Sequence, residues 1–166
     1  MAWFPGLYRD PSVEGVLRVR QVCWIEDPPP QRRRAYTTAM SFAHKSIVVT
    51  GATSGIGRAT AEAFGREKGN VVLVARDRSA LTTTAAAVIT AGGHAVTCDV
   101  DLTADDAPGR IVQAAVDAFG GIDVVVNAAG IIATGTIETT DDEAWDRMMA
   151  LNLRAPFRLM RAATPH

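Results

Sequence analysis

Residues 46–57 read Ser46-Ile47-Val48-Val49-Thr50-Gly51-Ala52-Thr53-Ser54-Gly55-Ile56-Gly57, and an Ala-rich stretch beginning Arg58-Ala59-Thr60-Ala61-Glu62 follows at once. An uncharged, mostly β-branched run predicts a short strand covered on both faces. The glycines then mark a strand-to-helix turn. Gly51 permits the sharp exit from the strand, Gly55 removes a Cβ where a pyrophosphate would approach, and Gly57 allows the helix to pack closely. The N–H groups of the first helical turn face the anion. A tight βα turn without a ligand is the plain alternative. A nucleotide-triphosphatase loop needs a Lys next to its last glycine, and Arg58-Ala59 stand there. The turn therefore points to a dinucleotide.

Outward from the turn, short β-branched runs alternate with Ala-rich ones. Strands are expected at 46–50, 70–75, 94–98 and 122–127, and helices at 56–68, 78–91 and 105–119. A last helix is expected from Thr140, which with Glu143 has capping-box spacing. This alternation predicts an α/β fold, a Rossmann-type doubly wound parallel sheet in the order 3-2-1-4, truncated after the fourth strand and its helix. The fourth strand then stands at an edge, where Val124, Val125 and Val126 lose part of their cover. Aggregation or reliance on a partner is the expected consequence.

Residues 1–40 are of another character. They hold five of the eight prolines, the runs Pro28-Pro29-Pro30 and Arg32-Arg33-Arg34, and two of the three tryptophans. They read as an irregular N-terminal extension, dispensable for folding, to a dinucleotide-binding domain over 41–166. Seventeen basic and 18 acidic residues leave a formal charge of -1, which argues against a nucleic-acid or anionic-membrane partner. Cys23 and Cys98 lie far apart and have no metal-ligand spacing. With no apolar run of membrane-spanning length and no signal-peptide pattern, the expectation is a cytoplasmic protein without metal.

The pattern Thr50-Gly51-x-x-x-Gly55-x-Gly57 resembles the cofactor signature of the short-chain dehydrogenase/reductase family, and further motifs agree in order. Asp99-Val100 resembles the family's adenine-contacting pair. Asn127-Ala128-Ala129-Gly130 resembles its Asn-Ala-Gly motif, with Ala in the second position. Asn152, in a segment running Asn152-Leu153-x-Ala155-Pro156-Phe157, matches the helix Asn of its proton relay. Each residue also has a structural reading: Asp99 as a strand-end cap, Asn127 as a turn brace, Asn152 as a satisfied polar group between elements. The resemblance implies an oxidoreductase that moves a hydride between a nicotinamide dinucleotide and a small-molecule alcohol or carbonyl, homo-oligomeric at full length. It implies cofactor contacts from Gly51, Thr53, Ser54, Gly55, Ile56, Gly57, Asp99, Val100, Asn127, Ala128, Ala129 and Gly130. Asn152 is the one candidate catalytic residue.

The second strand ends Val74-Ala75-Arg76-Asp77. NAD-preferring folds place a carboxylate at this ribose. Here Ala75 takes the place where the family has its acid, and Arg76 offers a planar fork to a 2′-phosphate. NADP is the expected cofactor over NAD, with Asp77 read as the cap of the next helix and, alternatively, as a ribose ligand.

The family's Ser and Tyr-x-x-x-Lys are missing: after Ser79 the sequence contains no Ser, Tyr or Lys. His44, His94 and His166 do not fit as substitutes, since their expected places lie away from the crevice or at the chain end. The expectation is therefore a fragment of an NADP-dependent oxidoreductase, its own activity doubtful. A non-catalytic dinucleotide-binding module or a nonfunctional product is the alternative.

Overall fold

In the computed structural model, which describes residues 41–166, the strand predicted from SIVVT runs Ser46–Thr50 (β1) and is buried at every position. The expected extension over residues 1–40 lies outside the described residues. After β1 come α1 (Gly55–Arg66), β2 (Asn70–Ala75), α2 (Arg78–Thr90), β3 (His94–Asp99), α3 (Ala107–Phe119), β4 (Val124–Asn127) and α4 (Asp142–Met149). A π-helical turn, Ala150–Arg154, leads into α5 (Ala155–Ala163). The strands form one parallel sheet in the order β3-β2-β1-β4, as the sequence predicts. Register is set by pairs such as Val48 with Val72 and with Val125.

Alternation along the strands divides the core into two layers. Val48, Val72, Val74 and Cys98 meet Ile111, Ala115 and Leu159 from α3 and α5. Ile47, Val49, Val71 and Leu73 meet Ala61, Leu81 and Val88 from α1 and α2. Each fully buried Val, Leu or Ile contributes about 1.5–3 kcal/mol, which is why uninterrupted apolar runs are stable only with helices on both faces. On β4, Val124, Val125 and Val126 are half-buried.

Asp123, just ahead of β4, joins the N-terminal ends of two strands. Its carboxylate accepts from Lys45 Nζ at 2.7 Å and from the Ser46 N–H at 2.8 Å. The approach of α1 depends on small residues: Gly57, Ala61 and Gly65 form its buried face. Among the described residues no helix is long and apolar enough to cross a membrane.

Two expectations need correction. Thr140 does not cap the fourth helix. Asp141 does, accepting from the Ala144 N–H at 2.7 Å, while the Thr140 hydroxyl donates to the Thr136 carbonyl at 2.9 Å. A carboxylate one residue nearer the helix outcompetes the hydroxyl for the free amides. Nor is the last helix uniform: the Ala155 N–H reaches five residues back to the Ala150 carbonyl. Pro156 bears on this, since it has no N–H for the Asn152 carbonyl and so removes one α-type bond.

Candidate functional site

Thr50 ends β1 with its side chain buried, and its hydroxyl oxygen accepts the N–H groups of Ala128 and Ala129 at 3.1 and 3.2 Å. This brings the segment after β4 onto the glycine turn. The approach is close: a Cβ on Gly51, whose φ is +65°, would lie 2.8 Å from Ala129 Cα and N. A Cβ on Gly57 would lie 2.2 Å from the Gly51 carbonyl oxygen. The turn is thus wedged between the segment after β4 and the first turn of α1, and neither neighbour leaves room for a side chain.

Ser54 stands at the N-cap of α1 with extended backbone and makes no side-chain cap bond, and the first turn contains no acid. The N–H groups of Gly55, Ile56 and Gly57 have no acceptor among the described residues, and the first helical bond there is from the Arg58 N–H to the Ser54 carbonyl. α2 and α4 differ, for Asp77 and Asp141 cap them. The positive end of α1 is therefore left free for an anion.

Beside this helix end opens a cleft of about 890 Å³ at the C-terminal ends of the strands. Of the predicted contact residues it brings together Gly51, Thr53, Ser54, Gly55, Ile56, Arg76, Val100, Ala128, Ala129 and Gly130. Gly57 is buried behind the turn, and Asp99, the last residue of β3, is not part of the cleft wall. The Asp99 carbonyl accepts from Arg110 at 3.0 Å. Sequence reasoning missed Asp101, Leu102, Thr103, Arg147, Ala150 and Leu151, which also line the cleft. No spacing rule relates the loop after β3 to a helix some 45 residues later (147 − 102 = 45). Packing of α5 against α3, and the bonds of Asn152 to Ile131, bring them together.

Asn127 and Asn152 line a second hollow of about 510 Å³ with Ile132 and Pro156; it shares Ala129, Gly130 and Ile131 with the cleft. The Asn152 carboxamide is anchored there through both its oxygen and its nitrogen, Oδ1 accepting the Ile131 N–H at 2.9 Å and Nδ2 donating to the Ile131 carbonyl at 2.7 Å. The three histidines lie elsewhere. His94, for example, shares a hydrogen bond of 3.1 Å with Asn70 at the opposite ends of the strands.

The charged lining is uneven in its availability. Asp77 is engaged as the α2 cap through the Ala80 N–H at 3.0 Å. Asp101 accepts the Thr103 N–H and hydroxyl at 2.9 and 2.7 Å, and these bonds, with a smaller effect of Arg76, hold its carboxyl below the usual range. Arg76 makes no hydrogen bond among the described residues. Buried Cys98, just below the cleft, has its thiol pKa raised by desolvation, so its thiolate is disfavoured. Among the described residues no three metal-ligating side chains converge.

A parallel sheet of order β3-β2-β1-β4 with a glycine turn and an uncapped helix at its switch point defines a Rossmann-type nucleotide-binding fold. The family model for short chain dehydrogenase matches residues 45–166, and the chain belongs to that family. It is 38% identical over 131 residues to the short-chain reductase protein NovJ of Streptomyces niveus, covering 78% of this chain and 50% of NovJ. A metagenomic short-chain oxidoreductase solved with NADP matches with a TM-score of 0.70 and 38% identity, over 75% of this chain and 57% of that one. An NADH-dependent reductase of alginate metabolism, A1-R′, gives 0.70 and 35%, over 75% and 52%. The chain thus spans about half the length of the relatives it matches.

Proposed function

We propose that the cleft binds a nicotinamide dinucleotide, NADP in preference to NAD, in the service of an oxidoreductase that interconverts an alcohol and a carbonyl. The observation that carries this reading is the N-terminus of α1, where the amides of Gly55, Ile56 and Gly57 have no acceptor among the described residues, beside a turn in which Gly51 and Gly57 leave no room for a Cβ. Those amides take the pyrophosphate. The residues present fit the group: an added Cβ on Gly55 meets no atom within 4 Å, so the space in front of the turn is open.

The dinucleotide, when bound, supplies the hydride. Val100 and Asp99 border the adenine, with the cleft wall itself supplied by Val100. Arg76, which has no partner among the described residues, takes the 2′-phosphate. Asn127 and Ala128 to Gly130 border the nicotinamide half. Asn152 acts by holding Ile131, and through it the shared wall of the two hollows, so its role is positioning. The NADP-bound and NADH-dependent relatives show that both cofactors are used on similar folds. The preference here rests on Ala75 in place of a carboxylate with Arg76 beside it, a charge-assisted contact worth roughly ten- to a hundredfold in affinity.

Fluorescence titration of the 166-residue chain with NADPH and NADH tests this. Tighter NADPH binding is expected, and Arg76→Ala should close most of the gap. Equal or tighter NADH binding would refute the preference, and no saturable binding of either would refute the cofactor site. A second reading is binding without catalysis. Cofactor binding with no turnover across a panel of alcohols and carbonyls would support it.

A further inference from the structure

Part of the cleft's lining is apolar. Val100 and Leu102, after β3, form it together with Ala150 and Leu151 from the π turn. Arg147 lines the same cleft from α4, and positions 147, 150 and 151 share one helix face by their three- and four-residue spacing. Its guanidinium is tethered on one side only: Nη1 donates to Glu143 Oε1 at 2.7 Å, and it makes no other hydrogen bond among the described residues. Neither carboxylate in the cleft is paired with it: Asp77 accepts from the Ala80 N–H and Asp101 from Thr103. An apolar lining bordered by a planar, half-free cation suits a flat aromatic base, because guanidinium planes stack on π-faces and on nucleobases.

Resting on the dinucleotide reading above, we propose that Arg147 stacks on the adenine ring and sets affinity for the adenosine half without discriminating NADP from NAD. The two cleft arginines then have separable roles. Arg76 reads the 2′-phosphate; Arg147 covers the base and is oriented by Glu143.

The test is a set of titrations of the 166-residue chain with NADPH, NADH, 5′-AMP and nicotinamide mononucleotide, repeated for Arg147→Met and Arg147→Lys. Arg147→Met keeps the apolar reach and removes the guanidinium. It is expected to weaken the three adenine-bearing ligands by a common factor of about three- to tenfold and to leave the NADPH/NADH ratio unchanged. Arg147→Lys should recover only part of the loss, because an ammonium cannot stack. Unchanged affinities, a loss confined to NADPH, or a loss shared by nicotinamide mononucleotide would each overturn the assignment while leaving the cofactor site standing. If the unmodified chain binds none of the adenine-bearing ligands, both readings fail together.

Discussion

Asn152 holds both backbone polar groups of Ile131, its Oδ1 accepting the amide at 2.9 Å and its Nδ2 donating to the carbonyl at 2.7 Å. A two-point bond fixes distance and orientation together. It ties the π turn to the segment after β4 at the place where the cleft and the second hollow share a wall. Gly130, next in line, accommodates this: a Cβ there would lie 3.2 Å from Asn152 Oδ1.

Asn152→Asp should release that wall, because a second carboxylate oxygen facing the Ile131 carbonyl repels where the amide donated. Amide exchange at Ile131 is expected to accelerate, with a small change in melting temperature because the site is exposed. Unaltered exchange at Ile131 would show that the loop is held by other contacts.

Gly57→Ala should destabilise at the upper end of the ~1–3 kcal/mol typical of overpacking, since the added Cβ would meet backbone, which cannot rotate away. The contact is the 2.2 Å approach to the Gly51 carbonyl. Gly55→Ala has open space and is expected to cost only the ~1–2 kcal/mol of its left-handed backbone, φ +50°. Urea melts of the two variants compare them directly, and equal midpoints would contradict the steric argument.

Thr50→Val keeps the volume of a fully packed side chain and removes the oxygen that accepts the Ala128 and Ala129 amides. The expected cost is about 1–3 kcal/mol for orphaned donors, and Thr50→Ser should restore most of it. A serine variant no more stable than the valine variant would locate the effect in packing instead.

Lys45 and the Ser46 amide, in that order, hold the Asp123 carboxyl below the ordinary carboxylate range. A depressed folded pKa means that this stability is fully present above the unfolded value of ~3.9 and is lost as pH falls through the folded one. Both partners are largely solvated, with side chains 52% and 38% exposed, so the contribution stays within the ~0.2–1 kcal/mol of surface pairs. Melting temperatures between pH 5 and 2.5 should fall less steeply in Asp123→Asn than in the parent. Asp101, depressed by Thr103, keeps the acid limb from vanishing. Parallel acid limbs in the two proteins would remove Asp123 from the account.

Local chemistry made the sheet and its turn legible in the sequence. Runs such as Asn70–Ala75 can be stable only as strands covered on both faces, and the glycine spacing after Thr50 admits few conformations. Strand order followed from the family resemblance and the βα alternation. The Asp77 cap was legible too, because capping is decided within one turn of helix. The same short range explains the error at Thr140: two adjacent side chains could serve, and the choice depended on backbone angles that Asp141 adopts.

Tertiary packing alone decided the rest. Asp99 and Val100 are neighbours in the sequence, but only Val100 reaches the cleft wall. Arg147, Ala150 and Leu151 join that wall because the helical run carrying them packs beside α3 and β4, a relation with no spacing in the chain. Asn152 finds Ile131 only through the π turn that Pro156 accompanies. Backbone preference and apolar periodicity act over a few residues and are written in order along the chain; the cleft is made of side chains that meet across it, and their meeting is set by how the helices pack.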